Sequence, residues 1–170
     1  CAGALASISD DLDLLKDYEQ FLFHGNSSVQ LAALHGLGIY FASSSRARAS
    51  LLTNFLSYDR EFFKWLEGKT KSTFDDQKSA AYFALKSILS LPDCLKMALN
   101  TSALIGNLLQ RDLDDSLLGL QWKYDIFEQI SLSSLLMECL NGPLQEQIKN
   151  YLLQGVIFVK RSTRVAFESA

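Results

Sequence analysis

Apolar positions recur along the chain at helical spacing and nowhere alternate for long enough to build a sheet. In the run over 10–23, "DDLDLLKDYEQFLF", Leu14, Leu15, Tyr18, Phe21 and Leu22 fall on one face at i, i+3 and i+4 intervals. Asp10 and Asp11 stand at its start, where carboxylates favour the positive end of the helix dipole. "HGNSS" reads as a stop followed by a fresh N-cap, and a second helix is expected over 29–42. Residues 43–49 read as a turn, followed by shorter helices over 49–56 and 59–68, the latter closed by Gly68. A polar linker over 69–76 leads to a helix over 77–91, which Pro92 breaks while opening the next, over 92–99. Helices are then expected over 101–113, 114–132, 133–142 and, opened by Pro143, 143–155. The closing stretch 156–170 reads as an extended tail laid along the last helix.

The long helices resemble one another. When "VQLAALHGLGIYFAS" is laid over "QKSAAYFALKSILSL" with Ala33 on Ala81, Leu37 falls on Leu85 and Tyr40 on Ile88. "LQWKYDIFEQISL" beneath them places Phe127 at the first of these positions and Ile130 at the second. Shorter helices follow each long one. Both offsets, Leu37 to Leu85 and Leu85 to Phe127, come close to the roughly 40–47 residues of a HEAT or armadillo unit. The recurrence predicts an all-α HEAT/armadillo-like helical repeat solenoid of about three units. One such unit cannot bury its apolar faces alone, whereas stacked neighbours share a continuous core.

Composition narrows the picture. A chain of 170 residues with 48% hydrophobic content suits a single helical-repeat domain over 1–170. Sixteen basic against nineteen acidic side chains give a net charge of −3, and the densest basic stretch, "VKRSTR", holds only three charges. Nucleic acid is not expected as a partner, because phosphate binding needs a clustered basic face. No apolar run approaches the roughly 20 residues of a membrane span, so no membrane association is expected. Cys1, Cys94 and Cys139 are odd in number and lack metal or disulfide spacing, which fits buried thiols in a reducing compartment. The chain opens on Cys1 rather than Met and reads as an excised piece of a longer protein.

Signs of catalysis are few. Neither His24 nor His35 belongs to an HExxH pattern or stands near a suitably spaced cysteine pair. "GLG" at 36–38 lacks the third glycine and the preceding strand of a dinucleotide fingerprint. The glycines are instead expected inside a helix, where they admit a close neighbour. The pairs Asp10–Asp11, Asp75–Asp76 and Asp114–Asp115 precede long helices and read as N-terminal capping. No catalytic residue, cofactor or metal is expected, and the protein is not expected to be an enzyme.

What remains is binding surface. The long helices of such a stack line a concave groove, and the superposition puts Ala32, His35 and Ile39 on its first ridge. Phe83 and Ser87 fall on the second, and Trp122, Asp125 and Gln129 on the third. Trp122 is the residue type that recurs at binding hot spots, although the same side chain could fill the core between repeats. The expected partner is a protein, and an adaptor for an extended peptide or a partner helix is one form this could take.

From Val29 onward, and most clearly from Trp122, the chain resembles the C-terminal part of the 26S proteasome non-ATPase regulatory subunit 5 family. The likeness rests on "VQLAALHGL", on "KYDIFEQI" from Lys123, and on "YLLQGVIFVKRSTRVAFESA". In the last segment Tyr151, Leu152, Gly155, Val159, Lys160, Thr163 and Glu168 match the family's closing pattern. The resemblance implies a HEAT/armadillo solenoid that chaperones assembly of the proteasome regulatory-particle base. It implies a protein partner, the C-terminal domain of an AAA ATPase subunit, and residence in the cytoplasm with the nucleus as a second compartment. It implies no catalysis, metal or cofactor, and assigns no binding residue within these positions.

Overall fold

The computed structural model describes residues 18, 20–42, 62–101, 103–113 and 116–157. The chain is all-α, with no strand among the described residues. Helical residues 20–24 lead through Gly25 and Asn26 into α1 (Ser27–Ala42). There follow α2 (Phe62–Thr70), α3 (Asp75–Leu89), α4 (Pro92–Thr101), α5 (Leu104–Leu109) and a 3-10 turn (Arg111–Leu113). The described part closes with α6 (Leu117–Leu132), α7 (Ser134–Glu138) and α8 (Gly142–Leu153). The helix expected around 49–56, the capping roles of Asp10–Asp11 and Asp114–Asp115, and the tail beyond Ile157 lie outside the described residues.

Local chemistry sets most of the helix starts. Asn26 Oδ1 accepts the amide of Val29 at 3.0 Å, and Ser116 Oγ accepts that of Gly119 at 3.1 Å. Ser133 Oγ accepts from Leu136 N at 3.4 Å, and Asn141 Oδ1 from Leu144 N at 3.0 Å. α3 departs from this pattern: its N-cap is Phe74, whose side chain cannot cap, and Asp75 and Asp76 lie in the first turn, where their charges complement the dipole. Gly155, just past the Gln154 C-cap of α8, has a φ of +74°, which suits a residue without a Cβ.

The single helix expected over 101–113 is broken. α4 runs on to Thr101, α5 covers Leu104–Leu109, and Gln110 is extended at φ −78°, ψ 111°. The buried Lys123 Nζ donates to the Gln110 carbonyl at 3.0 Å. A tertiary contact thus takes an acceptor that a continuing helix would have used internally.

The three long helices pack side by side in chain order, α1 against α3 and α3 against α6. They run parallel. Ser27 at the start of α1 is hydrogen-bonded to Gln77 near the start of α3, and Lys78 Nζ donates to Ser116 Oγ at the start of α6 (3.1 Å). The shorter helices form rows of their own. α2 touches α5, α5 touches α8, and α4 touches α7.

α3 is the middle of the packing, with eight of its fifteen residues buried. Ala80, Ala81 and Ala84 let both neighbours approach, while Tyr82, Leu85, Ile88 and Leu89 fill the space between them. Each large apolar side chain so buried stabilises the fold by about 1.5–3 kcal/mol. α1 carries no Asp, Glu, Lys or Arg, and Leu34, Leu37 and Phe41 enter the same core.

Candidate functional site

The residues expected on the groove ridges occupy matching places on the three parallel helices. His35, Phe83 and Asp125 are spaced as Leu37, Leu85 and Phe127 are, and so are Ile39, Ser87 and Gln129. Exposure along these positions follows the packing. On the outer helix α1, His35 is exposed and Ile39 is 45% exposed. On the central α3, Phe83 is half-buried and Ser87 is buried. On α6, Trp122, Asp125 and Gln129 are half-buried.

These residues meet across two helix seams and do not form three open ridges. The His35 and Phe83 rings lie 6.4 Å apart at 45°, closing the α1–α3 seam. Trp122 stacks on the buried Tyr82, with ring centroids 6.5 Å apart and planes 7° from parallel. Lys86 Nζ lies 3.7 Å from Asp125 Oδ2, and Gln129 Nε2 donates to the Lys86 carbonyl at 3.4 Å, which ties α6 to α3. Ser87 departs from the expectation of a surface residue: its hydroxyl turns back to the Phe83 carbonyl at 3.0 Å, as a buried helical serine does to satisfy itself. Ile39 and His35 remain as the side chains of this set most available to a partner.

Sequence reasoning missed two polar junctions. Arg111, on the 3-10 turn, donates from Nη1 to the Val156 carbonyl at 2.9 Å and from Nη2 to those of Tyr151 and Gly155, each at 2.8 Å. Its guanidinium carbon lies 3.8 Å from the centroid of the Tyr151 ring. The cation thereby sits on the carbonyls at the C-terminus of α8, the negative end of that helix. Nothing local to Arg111 in the sequence announces partners beyond the whole length of α6 and α7.

The second junction joins α2, α5 and α6. The Glu67 carboxylate takes Lys71 Nζ at 2.8 Å and Asn107 Nδ2 at 3.0 Å. With Thr70, Tyr82, Leu108 and Lys123 these residues line a small cavity. Lys123 is only 3% exposed. One signal does stand in the sequence: Lys123 falls on the position that Ala33 and Ala81 occupy when the long helices are laid over one another, a charge where the other two are apolar.

Among the described residues, no group of three His, Cys, Asp or Glu side chains converges as metal ligands would. Cys94 is buried, and burial, reinforced by the neighbouring Asp93 charge, pushes its thiol up to about 12. Cys139 is half-buried with Sγ 3.2 Å from the Leu135 carbonyl. No described helix is long and apolar enough to cross a membrane. No protein-family model, curated protein or solved structure matches the chain.

Proposed function

We propose that the chain is a non-enzymatic HEAT/armadillo-type scaffold that chaperones assembly of the 26S proteasome regulatory-particle base. In this reading it holds the C-terminal domain of one AAA ATPase subunit. The repeat part of the reading is supported by one observation above the others. Like elements of successive units touch: α1 with α3 and α3 with α6, α2 with α5 and α5 with α8, α4 with α7. Equivalent positions are also buried alike: Leu37, Leu85 and Phe127 lie in the core, as do Gly36, Ala84 and Ile126. Contacts between successive like elements are what a stack of repeats requires.

The proteasomal part rests on the family resemblance, carried within the described helices by "VQLAALHGL" on α1 and "KYDIFEQI" on α6. The side of the long-helix layer that carries His35 and Ile39 is the docking face in this proposal, with the cytoplasm and nucleus as its compartments.

The test is a pull-down of the isolated C-terminal domains of the base ATPases, using this chain and a version extended upstream of Cys1. Selective, saturable enrichment of one domain is the expected outcome. Enrichment of none by either version would remove the proposal.

A further inference from the structure

The small cavity where α2, α5 and α6 meet has a volume of about 10 Å³, close to the room one water molecule takes. Glu67, Thr70 and Lys71 line it from the end of α2, Asn107 and Leu108 from α5, and Lys123 from α6. Its polar groups are well removed from solvent. Thr70 and Lys123 are each 3% exposed, and the Glu67 side chain is 13% exposed.

Three acceptors at this junction take no proton from a described residue. Glu67 Oε1 accepts from both Lys71 Nζ at 2.8 Å and Asn107 Nδ2 at 3.0 Å, which leaves Oε2 as the first. The Thr70 hydroxyl directs its proton to the Glu67 carbonyl at 2.8 Å, so its oxygen is the second. Asn107 Oδ1 is the third. Acceptors shielded from solvent and left without a donor cost stability, and in native folds they are met by protein or by ordered water.

The chemistry of the wall selects the donor. The volume admits nothing larger than water. The Lys71 and Lys123 ammonium groups repel a metal or ammonium ion, and the Glu67 carboxylate repels an anion. A neutral molecule that donates twice is what three acceptors in one small cavity require.

We propose that this cavity holds one long-lived water, which donates to the Glu67 carboxylate and to Thr70 or Asn107 and so bridges α2 to α5 beside the Lys123 ammonium. Lys123 stands where the superposed α1 and α3 carry the buried alanines Ala33 and Ala81, so the third long helix is seated through a hydrated polar junction. The site uses none of the docking residues, and the proposal stands without the proteasomal reading.

The test uses the whole chain in solution. Relaxation dispersion of water 17O counts the waters held by the protein and is blind to exchanging hydroxyl protons. Cross-peaks from water to the methyl groups of Leu108, which is buried on the cavity wall, place one of them. The expected result is a Leu108 cross-peak whose NOE and ROE have opposite signs, the mark of a water that tumbles with the protein. Thr70→Val keeps the shape and removes one acceptor, and should shorten the residence time of that water about tenfold. Thr70→Val/Asn107→Leu should lose the cross-peak and lower the dispersion amplitude by the share of one water, with methyl shifts elsewhere unchanged. A wild-type chain without the Leu108 cross-peak, or an amplitude that the double variant leaves unchanged, would overturn the proposal.

Discussion

Gly38 lies directly beneath the ring of Phe83. A Cβ at residue 38 would stand 3.1 Å from Phe83 Cγ and closer still to Cδ1 and Cε1. The Phe83 side chain of α3 occupies the space that a Cβ on α1 would need, so a larger residue at 38 forces that ring to move. Gly38→Ala should therefore destabilise the chain by about 1–3 kcal/mol, although alanine is the better helix former by about 1 kcal/mol. Gly68, in α2, has nothing within 4 Å of the place a Cβ would take, so Gly68→Ala should stabilise by about 0.5–1 kcal/mol. Urea unfolding of the two variants checks the opposite signs.

Arg111 ties the end of α8 to the turn before α6. Arg111→Ala leaves three carbonyls without their donor and uncovers the Tyr151 face, and should cost about 2–4 kcal/mol. Arg111→Lys keeps the charge but loses the planar fork, and should recover less than half of that loss. Hydrogen exchange should show the deficit first at the amides closing α8, around Gln154 and Gly155.

Trp122 is a seam residue. Its stacking on Tyr82 means that Trp122→Ala should cost about 2–4 kcal/mol, with partner affinity per folded molecule unchanged within about twofold. Lost affinity with an unchanged unfolding midpoint would return Trp122 to the binding surface.

The Cys94 thiol gives an alkaline signature. Its folded value of about 12 lies above the ordinary value near 9, so in that window the unfolded chain binds fewer protons than the native one. Stability should hold below about pH 9 and fall as pH rises through the window. Burial moves Tyr18 in the same direction, so Cys94→Ala should flatten the fall without abolishing it. Unfolding midpoints measured at successive pH values, wild type against Cys94→Ala, read out the difference.

The all-α class and most helix boundaries were legible because each is written in local pattern. Asn26 caps where "HGNSS" suggests, and Gly38 admits a neighbour as its place inside a helix implied, whereas Asn141, expected at the end of the helix over 133–142, caps the next helix instead. What was not legible depends on long-range partners. The break at Gln110 follows from Lys123, and the Arg111 clamp from carbonyls at the far end of α8. The surface set occupies equivalent positions on the long helices, yet most of it lies in their seams. Helical spacing gives the face of a side chain, whereas exposure on that face is decided by how closely the next helix packs. On α3, flanked on both sides, the ridge is covered; on α1, Ile39 and His35 stay open.

Docking of an ATPase domain on the His35–Ile39 side of α1 is tested by calorimetric titration of each base-ATPase C-terminal domain into this chain, wild type and Ile39→Asp. Saturable binding of one domain is expected, weakened about tenfold or more by Ile39→Asp while the unfolding midpoint is unchanged. Binding of none, or binding of one that Ile39→Asp and His35→Ala both leave untouched, would contradict a partner held on the open edge of the long-helix layer.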